Sequence, residues 1–400
     1  MKKELLFYSL SALLLGAAFA FESLCILVFV VFVPIIYSRK NLCKASTNIS
    51  NRAFLNLFFA LLSNFIALNW ALNDDPLIGF FMIIANSIIM FLPLFIIDTL
   101  SFLFKVQKIH QFFLAWLLFE IVSLNWDFNF PWLLLGNTLS KYPFIIQWYE
   151  YTGVIGGSVW IILINFLVYQ YLFVNKRAFK MLFATFFPIL VSLYLWFNCF
   201  QSNTNPRNIV IIQPNIEPRY EKKHTPLLLQ VNKVLNLLKS CDDTINYVVL
   251  PETFMNENLP IEFLNSIPYF QQINNSVRKS ENFLILSGIS LVEKYSKDST
   301  LFFNSIVCND GNRVISIYNK EKFIPFIEKT PYRNIFNPVL LQKIETFFET
   351  CNYSNDSKNN YHISKNGDKI ASFVCYEGLF CNYFSKIVNE TKSQGSNCII

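Results

Sequence analysis

Seven apolar runs fill the first half of the chain, and they read as helices that cross a membrane rather than as pieces of a soluble core. They lie at Leu5–Ala20, Leu24–Tyr37, Phe54–Leu72, Leu77–Ile97, Phe112–Leu124, Thr152–Val174 and Met181–Phe200. A helix that crosses the hydrocarbon of a bilayer needs about 20 mostly apolar residues, in a range of about 17–25. The third, fourth, sixth and seventh runs fit that length; the first, second and fifth are shorter. Charge follows the same division. Residues 1–200 hold 12 Lys/Arg and 8 Asp/Glu, whereas residues 201–400 hold 21 and 19. We therefore expect a helical membrane domain over 1–203 and a water-exposed globular domain over 204–400.

The first two runs need a choice. As one helix they would span about 50 Å, too long for a core of about 30 Å, and Glu22 would sit midway, where a charge is costly. A tight hairpin is the better reading. Lys2, Lys3, the apolar run and Ala18-Phe19-Ala20 also look like a signal peptide with its cleavage site; either choice leaves the second half on the same face. Loop charge sets that face. One set of loops carries Lys2, Lys3, Arg39, Lys40, Lys44, Arg52, Lys105, Lys108, Lys176, Arg177 and Lys180; the opposite set carries Lys141 alone, with Glu22, Asp74, Asp75, Asp127 and Glu150. Basic loops stay cytoplasmic, so an odd number of spans exports everything after Phe200, into the periplasm of a bacterium with two membranes. The net charge of +6 has this membrane explanation and implies no nucleic-acid partner.

Between the fifth and sixth runs, Asn125–Tyr151 is rich in Trp and Phe. It reads either as an interfacial aromatic belt or as the wall of a lipid-entry cleft. After Asn203-Thr204-Asn205-Pro206 the pattern changes to strand and helix in alternation. Strands are expected at Asn208–Gln213, Tyr247–Leu250, Phe283–Ser290, Phe303–Cys308, Val314–Tyr318 and Ile370–Val374. Helices are expected at Pro226–Lys239, over most of Pro260–Lys279 and near Phe380–Thr391. That alternation argues for a layered α/β domain. The stretch Asn352–Asn360 reads as a polar surface loop.

Three local patterns there could carry chemistry. In Val248-Val249-Leu250-Pro251-Glu252-Thr253 a buried strand delivers a carboxylate at its end; alone, this is equally a solvated Glu. In Tyr318-Asn319-Lys320-Glu321-Lys322-Phe323-Ile324-Pro325-Phe326-Ile327-Glu328 a lysine leaves a strand before a Pro-Phe loop, and Glu328 can return to it; alone, it is a surface lysine. In Ala371-Ser372-Phe373-Val374-Cys375-Tyr376-Glu377-Gly378 an apolar strand stops at a cysteine and turns towards a helix, where a nucleophile gains exposure; alone, it is a structural thiol. Nine cysteines and three histidines show no metal-ligand spacing, so neither a zinc site nor a disulfide framework is expected.

Taken in order, strand-Pro-Glu, Lys before Pro-Phe and Cys-Tyr-Glu resemble the carbon–nitrogen hydrolase (nitrilase) superfamily. Ile212-Gln213-Pro214-Asn215-Ile216 resembles the opening strand of that domain in apolipoprotein N-acyltransferases. Trp116, Glu120, Phe130-Pro131-Trp132-Leu133, Gly136 and Gln147-Trp148-Tyr149-Glu150-Tyr151-Thr152-Gly153 resemble the loop signature of the same family. The resemblance covers nearly all 400 residues. It implies a seven-span bundle in the bacterial inner membrane followed by a periplasmic αββα nitrilase-like sandwich, incomplete at its C-terminus. It implies catalysis by Glu252, Lys320 and Cys375, supported by Glu328, Tyr376 and Glu377. The donor would be a phospholipid and the acceptor the N-terminal amine of a diacylglyceryl-cysteine apolipoprotein, with no cofactor and a monomeric enzyme.

The chemistry suits the residue types. A thiolate is the nucleophile, a nearby cation favours it and can stabilise an oxyanion, and a carboxylate can carry the proton. The pattern departs from the family in three places: no Arg follows Glu120, no Trp follows Gln213-Pro214-Asn215, and the chain stops at Asn397-Cys398-Ile399-Ile400, in what reads as a strand. Family members look as though they continue through further strands and a last transmembrane helix, so a truncated chain is expected. The other readings are a membrane-anchored amidase or nitrilase and an inactive truncated homologue. A transporter is the weakest reading, because the spans show few ionisable residues and no paired Gly/Pro-broken helices.

Overall fold

A computed structural model describes residues 2–44, 49–73, 75–104, 109–199, 207–217, 221–241, 244–277, 279–294, 300–355, 361–364, 367–392 and 398–399. The chain divides into two compact units, Met1–Ser202 and Asn203–Ile400. The expected junction at 203/204, Asp74, Lys105, Lys108, and residues 356–360 of the polar loop lie outside the described residues.

The first unit holds α1 (Lys2–Ala20), α2 (Val33–Lys44), α3 (Ile49–Ala67), α4 (Pro76–Leu103), α5 (Ile109–Asn125), α6 (Tyr149–Phe173), α7 (Ala178–Ala184) and α8 (Phe187–Cys199). Among the described residues, six helical stretches are long and apolar enough to cross a membrane: Lys2–Ala20, Glu22–Lys40, Ile49–Ala67, Pro76–Leu103, Tyr149–Phe173 and Ala178–Asn198. The fifth expected run forms α5, a helix of 17 residues. The protein is a multi-pass membrane protein. Its first two stretches form a hairpin: Phe7 meets Tyr37 edge-on at 5.2 Å, and the Ile35 N–H donates to Ser11 Oγ at 3.3 Å.

Two stretches expected to be continuous are broken. The second begins as a 3-10 helix, Glu22–Phe29, and passes through a turn at Val30–Phe32 before α2. The seventh is split between α7 and α8 around Thr185 and Phe186. Pro34 and Pro188 stand just past the breaks, where a residue without an N–H is tolerated. Each break frees backbone groups that lipid cannot satisfy, and α6 supplies the partners. Asn165 accepts from the Phe32 N–H at 2.8 Å and donates to the Val28 carbonyl at 2.8 Å. The Trp160 indole donates to the Thr185 carbonyl at 2.8 Å. The expectation of unbroken helices is corrected here; the missing signal was a polar Asn on a helix otherwise read only for its length.

Arg39 and Arg52, read as loop residues, lie within α2 and α3. Arg39 forms an ion pair with the buried Asp98 of α4, and Asn56 of α3 joins them, donating to Asp98 Oδ2 at 2.8 Å. The Asn125–Tyr151 segment is a packed layer rather than a free loop. Glu120 accepts from the Trp116 indole at 2.9 Å and from the Leu135 N–H at 2.8 Å, and Phe130 and Leu133 pack with Ala67, Leu68 and Ile83.

The second unit holds β1 (Ile209–Ile211), α9 (Glu221–His224), α10 (Leu227–Leu238), β2 (Ile245–Val249), β3 (Met255–Pro260), α11 (Pro268–Ser276), β4 (Lys279–Lys294), β5 (Thr300–Asn309), β6 (Val314–Asn319), α12 (Pro338–Phe348), β7 (Tyr361–Ile363), β8 (Lys369–Ala371), α13 (Cys381–Lys392) and β9 (Cys398–Ile399). The larger sheet runs β1-β2-β4-β5-β6, and β3 also pairs with β4; the smaller sheet is β7-β8-β9. Strands β1, β2 and β4 are parallel, while β4, β5 and β6 are antiparallel.

Along β4 the side chains alternate, as a sheet covered on both faces requires. Phe283, Ile285, Ile289 and Leu291 face the core shared with α10 and α11. Leu284 and Leu286 face the other way, with Tyr247, Cys308 and Ile370 of the smaller sheet. Helix and two stacked sheets thus form three layers. The expected helix over Pro260–Lys279 is shorter, because Lys279 already belongs to β4, and the strand over Ile370–Val374 ends at Ala371. Strands β3 and β7 and helix α12 were not foreseen.

One register feature positions the site. Strands β2 and β3 both pair with β4, at Leu284–Leu286 and Ile289–Val292. Between them the chain leaves the sheet and crosses over Gly288. A Cβ on Gly288 would lie 2.5 Å from the Pro251 carbonyl oxygen and 2.6 Å from the Glu252 Cα. Both are backbone atoms that cannot turn aside, so only glycine lets the chain present Glu252 here.

Candidate active site

The cluster starts with Lys320, the first residue after β6. Its ammonium is fully enclosed and meets two carboxylates, Glu328 at 2.7 Å and Glu252 at 3.4 Å. Glu328 is nine-tenths buried; its second oxygen accepts from the Ile324 N–H at 2.9 Å. That bond closes the Pro-Phe loop on itself and returns the carboxylate to the lysine eight residues earlier. Glu252 keeps 32% of its side-chain surface exposed, so it faces the site rather than the core. Burial alone would pull the lysine down, but Glu328 and then Glu252 outweigh it and hold the ammonium above the ordinary lysine range.

Cys375 enters from the other sheet. Four residues past β8 the backbone takes a left-handed conformation at Cys375, φ +46°, a strained position for a side chain other than glycine. A single 3-10 turn, Cys375–Leu379, follows, and the thiol is left exposed. Burial of its surroundings and the hydrogen-bonded Glu252 carboxylate push the thiol above its ordinary range, and Lys320 draws it part of the way back.

Glu377 fixes this geometry. It is completely buried and its two oxygens accept four hydrogen bonds: from the Glu321 and Lys322 N–H groups at 2.7 and 3.2 Å, the Val374 N–H at 2.9 Å and the Tyr318 hydroxyl at 2.6 Å. Burial pushes its carboxyl up against those four donors. One carboxyl thus ties the chain leaving Lys320 to the chain entering Cys375. Tyr376 is buried, with its ring edge-on to Phe380 at 5.2 Å; it packs the turn behind the thiol.

All six residues singled out from the sequence belong to this one cluster. A seventh was missed. Asn304, buried in β5, donates from Nδ2 to Glu252 at 2.6 Å and lies 3.4 Å from Glu328, while its carbonyl accepts from the Lys320 N–H at 2.8 Å. The available signal was the polar pair Asn304-Ser305 within the otherwise apolar run Leu301–Cys308. Asn304→Asp removes the donor and sets a third carboxylate beside the first two. We expect kcat/KM to fall by about 10²-fold, the scale of a displaced catalytic group. An unchanged kcat/KM would remove Asn304 from the site.

A nucleophile, a carboxylate within reach of its proton and a fixed cation can together perform acyl transfer through a covalent intermediate. Comparison with known proteins bears on which transfer. The model of a family described as apolipoprotein N-acyltransferase N-terminal domain matches residues 11–167. An apolipoprotein N-acyltransferase of Rickettsia prowazekii is 26% identical over 326 residues, covering 79% of this chain and 61% of the relative. One from Chlorobaculum tepidum is 24% identical over 310 residues, covering 69% and 56%. One from Aquifex aeolicus is 24% identical over 362 residues, covering 84% and 76%. The chain spans about three-fifths of the length of the first two.

Proposed function

We propose a thioester acyl transfer at Cys375, starting from the chain's similarity to apolipoprotein N-acyltransferases. The observation that carries the reading is an enclosed Lys320 ammonium held between Glu252 and Glu328, with Glu377 tying the chain that leaves it to the turn that carries Cys375. In the first half-reaction Glu252 takes the thiol proton as sulfur attacks the ester carbonyl of a phospholipid. Lys320 stabilises the oxyanion, and the proton passes from Glu252 to the departing alkoxide, which leaves as a lysophospholipid. In the second, the α-amine of a diacylglyceryl-cysteine apolipoprotein attacks the thioester. Glu252 receives the amine proton and returns it to sulfur, regenerating the thiol. Glu328 holds Lys320, and Glu377 and Tyr376 hold the turn that carries Cys375.

The second unit would be a nitrilase-like αββα domain, for which the three layers above are support. Orientation rests on loop charge. With the half-buried Arg39 and the buried Arg52 withdrawn as helix residues, nine basic residues still oppose Lys141. With seven spans this sends the second unit to the periplasmic face of the inner membrane.

The test is intact-mass analysis of the protein after incubation with phospholipid. Transfer predicts a long-chain acyl adduct on Cys375 that disappears when a diacylglyceryl-cysteine peptide is added. Turnover of small amides without an acyl adduct would instead make the protein a membrane-anchored hydrolase.

A further inference from the structure

Both broken stretches of the membrane unit turn their breaks to the same cavity. It measures about 610 Å³, and its walls include Ile26, Val30, Tyr142, Ile164, Phe186 and Ile189. Val30 belongs to the first break, and Thr185 and Phe186 to the second. Irregular backbone at membrane depth persists only where it is buried or lines a cavity. Here the freed polar groups are consumed from α6, by Asn165 and Trp160, so the wall that remains is nearly all hydrocarbon. Two interruptions, each sealed by a dedicated side chain, make this a built space rather than a packing gap.

The size and lining select the occupant. The volume falls within the roughly 300–1,000 Å³ of ligand pockets. Apolar cavities stay free of water, and an unfilled one forfeits the dispersion contacts of its lining. The solvent around these helices is lipid. Ser23 and Tyr142 line the cavity, and their chain neighbours Glu22 and Lys141 form an exposed ion pair at 2.7 Å. Lys141 is the single basic residue of its set of loops. An adjacent cation and anion match the phosphate and ammonium of one zwitterionic headgroup.

We propose that this cavity is a lipid-binding site that holds one acyl chain of a zwitterionic phospholipid, with its headgroup on Lys141 and Glu22. The site stands whether or not Cys375 forms a thioester. The experiment embeds the whole chain in phosphatidylglycerol nanodiscs containing a little phosphatidylethanolamine that carries a diazirine in its acyl chain. After irradiation, adducts are mapped by peptide mass spectrometry. Adducts near Ile26 and Ile164 should exceed those at the exposed Phe197 of α8 by about tenfold, the ratio that roughly 1.4 kcal/mol of preference gives. Ile164→Trp, which fills the cavity, should bring them down to the Phe197 level. Lys141→Glu, at an exposed position that leaves the fold alone, should lower them several-fold and so reads the same site if the tryptophan variant fails to fold. Adducts spread evenly over the helices, or unchanged in both variants, would overturn the site. Equal labelling by a phosphatidylglycerol probe would overturn the headgroup assignment.

Discussion

On the proposed acyl transfer, Cys375→Ala is expected to abolish lipoprotein N-acylation while leaving the fold intact. The side chain is exposed, so its loss opens no cavity, and the turn around it is held by Glu377 and not by sulfur. Removing a covalent nucleophile costs on the order of 10³-fold or more, because the remaining groups have no bond to make. The measurement is the mass of a lipoprotein N-terminus in cells that depend on the variant, and unchanged N-acylation would remove Cys375 from the mechanism. A pH dependence accompanies it. With the thiol held above its ordinary range, alkylation of Cys375 by iodoacetamide should be slow at neutral pH and keep accelerating past about pH 8.5, the value for a free cysteine.

The second large effect is at Lys320. Lys320→Met leaves Glu328 and Glu252 facing each other without a cation, and Glu328 is nine-tenths buried. Breaking a buried pair from one side costs about 3–5 kcal/mol, so this variant should unfold at markedly lower denaturant concentration besides losing activity. The double variant Lys320→Met with Glu328→Gln removes the stranded charge and should recover most of the stability and none of the activity, which separates the two roles. Loss of the cation also lifts the alkylation profile of Cys375 further, since Lys320 lowers that thiol. The sign for stability is fixed by the raised ammonium. Its contribution is complete below the ordinary lysine value of about 10.4 and is lost only as pH rises through the higher folded value. Neutral and mildly alkaline buffers should therefore show no loss in the wild type.

How much of this could be read from residues alone depended on range. The site residues sit at strand ends marked by local punctuation, Pro251 before Glu252, Pro325 between Lys320 and Glu328, and the turn after Val374. Such signals are short-range, and all three stretches reach one cluster. Apolar run length likewise placed the membrane helices to within a few residues. What escaped were partners set by tertiary contact. Asn304 bridges two carboxylates across the sheet, Asn165 and Trp160 close breaks in other helices, and Gly288 admits a crossing chain. None of these carries a local pattern beyond one out-of-character residue in its element. Arg39 was misread for the same reason: its charge predicts a loop, and partners on other helices, Asp98, Asn56 and the Phe112 ring, hold it within α2.

The stacking of the two sheets has a consequence for how damage propagates. Glu252 and Lys320 stem from β2 and β6, and Cys375 from β8, so thiol and base meet only when those layers are closed on each other. Inactivation should consequently precede unfolding. A lesion in the interlayer contact of Tyr247, Leu286 and Ile370, remote from any reacting atom, would silence the enzyme at temperatures where each layer still keeps its strands.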